Sequence, residues 1–241
     1  MTEIVLIEIA IATVVIFAGS FVQSSIGFGL AIIAAPVLFL LDPVYVPGPI
    51  TVAALTLSLA NAWSHRRAIS FHGLKFALLG RVPGTVFGGL LLLWFDQRAL
   101  ALWLGVSVLV AVGLSLRKFV LQPTATAMTF AGFLSGFMGT STSIGGPPLA
   151  LVLQHQPGDY IRANMAAFFT VSCVLSLMML TAVGHFGPAQ MLASAPLLPA
   201  TLAGYWLAMK NLHRVSYRAL RTSSLFLCVV AGSLAILSYW R

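Results

Sequence analysis

The chain has 241 residues, of which 59% are hydrophobic and only 7% charged, with a mean hydropathy of +1.00. A water-soluble domain carries about 25% charged residues, so too few ionic groups are present to cover a surface facing water, and the composition is that of an all-α integral membrane protein. The net charge of +8 does not make nucleic acid an expected partner, because the basic residues are parcelled into short segments between apolar runs, where they encode topology.

The N-terminus, MTEIVLIEIAIATVVIFAG, carries Glu3 and Glu8 where a cleavable leader would carry Lys or Arg, and is expected to be a retained first helix. A spanning helix needs about 20 apolar residues. Full-length spans are expected at roughly 4–23, 46–63, 74–94, 99–116, 164–183, 190–208 and 219–239. Shorter apolar runs lie at about 29–41, 125–139 and 147–154, each beside a break rich in Gly, Ser and Thr: SSIGFG at 24–29 and GTSTSIGG at 139–146.

Charge orients these segments. The stretches holding Arg66, Arg67 and Lys75, then Arg117 and Lys118, then Lys210, Arg214, Arg218 and Arg221, are expected on the cytoplasmic side, and the connections at 95–98 and 184–189, which carry one Arg between them, outside. Alternating from there, segments 4–41 and 125–154 must each enter and return to one side, as hairpins, and both termini fall outside. The halves also echo each other. FAG at 17–19 recurs at 130–132, SIGFG at 25–29 recurs as SIGGP at 143–147, and Arg98-Ala99-Leu100 recurs as Arg218-Ala219-Leu220. Pro83, Gly84, Thr85 and Gly88 match Pro199, Ala200, Thr201 and Gly204. The expected organisation is therefore two repeats, 1–120 and 121–241, each a broken or re-entrant helix hairpin plus three transmembrane helices. An odd number of crossings per repeat makes them inverted relative to each other, the plan of secondary transporters.

The breaks carry the candidate chemistry. Backbone without helical hydrogen bonds is tolerated at membrane depth only where protein buries it or a cavity is lined. Gly145 and Gly146 are expected to make the turn, with Pro147 and Pro148 in the first turn of a new helix. Gly27 and Gly29 do the same in the first half. Two restarted helices would present N-termini inside the membrane, where free N–H groups and dipole favour an anion. Ser24, Ser25, Thr140, Ser141, Thr142 and Ser143 place hydroxyls nearby.

Arg81 lies seven residues into the span 74–94, and a charge there is a functional candidate by default. Its fork of donors suits oxyanions, and the competing reading is an arginine that snorkels to the interface. Gln23, Asn61, Gln154 and Asn164 read as structural hydrogen-bonders, and Cys173 and Cys228 as small buried residues. No acidic residue falls mid-membrane, which disfavours a cation or proton carrier. HExxH, CxxC, GxSxG and P-loop patterns do not occur, so no enzyme, metal or cofactor is expected.

The Gly-rich first hairpin with Pro36 beyond it, the second hairpin SIGGPPLAL followed by Arg162, and GRVPGTVFGG together resemble the TauE/SafE sulfite exporter family of bacterial membrane transporters. The resemblance covers almost the whole chain. It implies a multi-pass protein of the bacterial inner membrane that exports sulfite, sulfoacetate or a similar small organosulfur anion. Ion-coupled uptake of such an anion, or a scaffold subunit that transports nothing, are the alternatives.

Overall fold

The computed structural model describes residues 2–116 and 121–211, together with residues 226, 229–230, 232–234 and 236–237. The expected span 219–239, the Arg218-Ala219-Leu220 match, Arg117, Lys118, Arg214, Arg221, Cys228 and the C-terminus lie outside the described residues or largely so. The described chain folds into helices α1 (Thr2–Ile26), α2 (Leu30–Leu41), α3 (Gly48–Ser64), α4 (Phe71–Leu92) and α5 (Gln97–Leu116), then α6 (Ala125–Thr142), α7 (Gly146–Leu153), α8 (Gly158–Ala182), α9 (Pro188–Ser194) and α10 (Leu197–Asn211). No strand occurs among the described residues.

Leu79, Phe87, Trp94, Phe130, Met178 and Trp206 are exposed, whereas Ser20, Ser58, Ser135, Thr140, Ser172 and Thr201 are buried. Apolar groups outside and hydroxyls inside is the reverse of a water-soluble fold, and it suits lipid as the surrounding medium. Among the described residues, four stretches are long and apolar enough to cross a membrane: Leu6–Ile26, Phe71–Leu92, Gly158–Ala182 and Pro188–Asn211. Helix α3, expected to span, has 17 residues and is about 25 Å long, somewhat short of a hydrocarbon core of about 30 Å. The stretch 190–208, expected as one span, is two helices joined by a turn at Ala195–Pro196; Ala195 keeps helical backbone, and Pro196 has no N–H with which to continue the ladder. The span expected at 164–183 begins earlier, at Gly158, directly after Pro157.

The tightest packing joins α4 to α6. A Cβ added at Gly80, Gly84 or Gly88 would overlap the carbonyls of Thr129, Phe133 and Phe137 in turn, and one at Gly132 would overlap that of Ala77. Contacts that advance together in steps of four mean the two helices run parallel with backbones touching, which only small residues allow. Helix α10 packs on α1 in a similar way, with Gly204 against the Phe17 carbonyl, and α3 packs on α8. Elements one half apart thus exchange partners: α4 with α6, α10 with α1.

Loop contacts sort the bundle ends. The Asn164 side chain accepts from Ser70 N at 2.9 Å and donates to Ala68 O, so the start of α8 and the Arg66–Ala68 turn share one face. At the other face, Gly48 lies against Phe186. Tyr45 lies there too; burial, then Asp42, then Glu8 push its phenol pKa up.

Candidate functional site

Both hairpins form, with breaks shorter than the sequence indicates. Helix α1 continues through Ile26, so Ser24 and Ser25 are helical, and the break is Gly27-Phe28-Gly29, with φ of +98° and +131° at the two glycines. Helix α6 continues through Thr142, so Gly139–Thr142 are helical as well, and the break is Ser143-Ile144-Gly145. Serine and threonine extend α6 by bonding their hydroxyls back onto it: Ser141 to Phe137 O and Thr142 to Met138 O.

The turn chemistry of the second break also departs from expectation. The left-handed residue is Ser143, at φ +66°, while Gly145 has an ordinary φ of −96°. Ser143 is held by its Oγ donating to Pro47 O at 2.8 Å and lying 3.2 Å from Thr51 Oγ1. Space, and not backbone freedom, is what requires Gly145: a Cβ there would stand 2.8 Å from Ser135 O and 3.1 Å from Arg81 Nη1. Gly146 is needed for the same reason, since its Cβ would come within 3.0 Å of Phe28 Cβ at the tip of the first hairpin. The two tips are therefore in contact. Pro147 and Pro148 occupy the first turn of α7 as expected, which also removes two N–H donors from that helix end.

Arg81 does not snorkel; it is 2% exposed. The glycine seam lets α4 approach α6 closely enough that the side chain turns inward. Its Nη1 donates to Ser135 O at 2.6 Å and to Ser135 Oγ at 3.2 Å. Its Nη2 donates to Ser176 Oγ at 2.6 Å and Ser172 O at 3.3 Å. The guanidinium lies 5.9 Å from the Phe168 ring centroid, and Gly139 leaves room for it: a Cβ there would stand 2.8 Å from Nη1. Among the described residues no carboxylate balances the charge. The one ion pair among the described residues joins Arg162 to Asp159. The acceptors around Arg81 are neutral carbonyls and hydroxyls, and its buried Nε has no partner.

Arg81 lines a cavity of about 30 Å³ together with Gln23, Gly29, Ser143, Gly145 and Ser176. Five expected site residues, Gly29, Arg81, Ser143, Gly145 and Gly146, therefore share one void, beside Ala31 and Ile32 in the first turn of α2. The other six lie elsewhere. Thr140 supports the site from behind, 2.8 Å from Ser176 Oγ. Ser141 accepts from Trp103 Nε1 on α5. Thr142 caps its own helix end through Ile144 N. Ser24 accepts from Asn61, Ser25 bonds back to Phe21 O, and Gly27 lines a separate gap near Arg162. Gln23 accepts from Leu30 N, capping α2 as a structural hydrogen-bonder would.

Sequence reasoning missed Ser135, Ser172, Ser176, Cys173 and Phe169 in the cavity surround. Ser172 and Ser176 stand four apart, one turn on the same face of α8, a spacing that also serves plain helix packing. Only the arginine distinguishes the two uses.

A buried cation held by neutral dipoles, beside two helix starts, in a small void, has the chemistry to attract a small anion. Comparison with curated proteins and with solved structures gives no match. The sequence matches the family described as Sulfite exporter TauE/SafE over residues 11–235, nearly its whole length. The chain belongs to the TauE/SafE family and is a multi-pass membrane transporter.

Proposed function

We propose that the chain exports a small sulfur oxyanion, sulfite or a close relative, by alternating access at the Arg81 cavity between the two hairpin tips. The observation that carries this reading is the uncompensated charge of Arg81. A guanidinium stays protonated in proteins, and burying it without a counter-charge is costly unless a ligand completes the site. Neutral acceptors steer its fork without neutralising it, so an oxyanion supplies the missing charge and the missing partner for Nε.

Cavity size bears on the cargo. By this measure one water needs about 10–15 Å³, so about 30 Å³ matches a compact inorganic oxyanion better than a longer sulfonate. The halves 1–120 and 121–241 act as inverted repeats that rock against each other; the exchange of packing partners, α4 with α6 and α10 with α1, supports that plan. With the interior negative, export of an anion releases about 2.3 kcal/mol per charge per 100 mV, so a coupling cation is unnecessary. Asp42 and Asp159 lie in or beside loops, and Glu8 lies toward the Tyr45 face, which fits a potential-driven carrier. The face with Arg66 and the start of α8 is then cytoplasmic.

The test is flux of sulfite, thiosulfate, sulfoacetate and sulfate in proteoliposomes under an imposed potential, with Arg81→Ala alongside. Flux of a compact sulfur oxyanion that follows the potential and is lost in Arg81→Ala is the expected result. Undiminished flux in the variant, or flux that needs a proton or sodium gradient at clamped potential, would overturn the reading.

A further inference from the structure

We propose that Arg162 forms a second oxyanion-binding position, in a vestibule through which cargo reaches Arg81. This rests on the reading that the chain carries small oxyanions, and it adds a site ten residues along α8 from Ser172, about 15 Å of helix rise from the Arg81 contact.

A void of about 320 Å³ opens between the end of α1, α7 and the start of α8, on the face that carries the Arg66–Ala68 turn; Ser25, Phe28, Gln154, His155 and Arg162 line it. That volume falls within the range of ordinary ligand pockets. Arg162 also lines a narrow gap of about 10 Å³ with Gly27, Ser58 and Asn61, and Gln23 lines both this gap and the Arg81 cavity. The three voids thus share lining residues in order: vestibule, gap, central cavity. The gap is polar. Ser58 Oγ is buried without a hydrogen-bond partner, and Asn61, three residues on along the same face of α3, also lines the gap.

Arg162 itself is half engaged. Its Nη2 pairs with Asp159, whose side chain is 76% exposed against 18% for Arg162, and its Nε is buried without a partner. A pair with one partner in water is weak and exchangeable. Asp159 acts as a resident carboxylate that occupies the fork until an oxyanion with the same two-oxygen geometry replaces it. From the second turn of α8 the guanidinium reaches back to Gly158 and Asp159 in the first turn, where the helix start favours negative charge. It is also coupled to the first hairpin, because a Cβ on Gly27 would stand 3.6 Å from Arg162 Cα. Arg162 is the one Lys, Arg, Asp or Glu among the described residues of the vestibule lining, and once Asp159 is displaced its charge draws anions on the cytoplasmic side before the narrow step.

The experiment uses the full chain in nanodiscs and radiolabelled sulfite as the probe, measured by equilibrium dialysis for wild type, Arg81→Gln, Arg162→Gln and Asp159→Asn. Two binding positions are expected in wild type, with one surviving in each arginine variant, and up to about fivefold tighter binding in Asp159→Asn at the position Arg81→Gln retains. Binding that vanishes in Arg81→Gln while Arg162→Gln behaves as wild type would overturn the vestibule position and leave the central one standing. Should Arg162→Gln fail to fold, unchanged affinity in Asp159→Asn would overturn it instead. If wild type binds no sulfite, the carrier reading fails separately. The vestibule is then decided by Gln156→Cys, in a chain carrying Cys173→Ala and Cys228→Ala. The ratio of its modification rates by anionic and cationic methanethiosulfonates should fall about threefold or more on Arg162→Gln, and an unchanged ratio overturns the proposal.

Discussion

Gly139→Ala adds one methyl group to the seat of Arg81 and changes no charge. The new Cβ would stand 2.8 Å from Nη1, 3.2 Å from Nη2 and 3.2 Å from the Gly145 Cα. The backbone cannot yield on the Gly145 side, so the guanidinium must move. Its two short bonds, Nη1 to Ser135 O and Nη2 to Ser176 Oγ, are both 2.6 Å and hold opposite sides of the fork, so a displacement breaks at least one. A hydrogen bond to a charged group is worth about 1.5–3 kcal/mol, which corresponds to about a 10- to 150-fold loss in anion affinity or transport rate. Helix propensity works the other way, since alanine is favoured over glycine by about 1 kcal/mol within a helix. The variant is therefore expected to insert and remain monodisperse while losing flux. Gly113→Ala is the matched control: it lies in α5, and its Cβ would meet nothing within 4 Å. The assay is sulfite flux in proteoliposomes at fixed potential, normalised to reconstituted protein, with thermal unfolding measured in detergent. Flux in Gly139→Ala within twofold of wild type, with Gly113→Ala also normal, would refute the claim that the seat of Arg81 sets transport.

Ser176→Ala removes the nearer of the two Nη2 acceptors and the partner of Thr140 together, and flux is expected to fall about tenfold or more by the same bond energies; normal flux with a normal unfolding midpoint would place Arg81 outside the transport path. Gly84→Leu drives a side chain into the Phe133 carbonyl, so it is expected to abolish a monodisperse size-exclusion peak, whereas Val82→Leu, half exposed two residues earlier, is expected to be tolerated.

The parts legible in the sequence are those written in composition and in residues with few alternatives. Apolar runs and charge placement indicate a helical membrane protein, and Gly27, Gly29 and the Pro147-Pro148 pair mark two restarts that the structure places one residue from where they were expected. What was not legible came from residues with two uses. Serine and threonine can open a turn or bond back onto the preceding turn of a helix, and Thr140, Ser141 and Thr142 lie within α6. Glycine can supply left-handed backbone or simply space; Gly145 supplies space, and the left-handed position fell to Ser143, anchored by Pro47 and Thr51 nearly a hundred residues away. The Arg81 surround, Ser135, Ser172 and Ser176, draws on two helices far apart in sequence, so spacing within either helix cannot reveal it.

The manner in which Arg81 is held also fits carriage better than retention. A buried arginine paired with an equally buried carboxylate, unlike Arg162 with its exposed Asp159, is satisfied on its own, and an anion must then compete with a fixed negative charge. Here carbonyl and hydroxyl oxygens orient the fork but leave its charge standing, so binding an anion is favoured by charge and by one unfilled donor. The same scarcity of partners limits how tightly the anion is held: a single arginine, one helix start whose Leu30 N–H is already taken by Gln23, and another with prolines in place of two N–H donors. A carrier needs its site to be favourable enough to fill and weak enough to empty on the other side, where the cargo is released against its own binding energy. On the proposed reading, the two prolines and the Gln23 cap, which leave fewer free N–H donors, serve that second requirement.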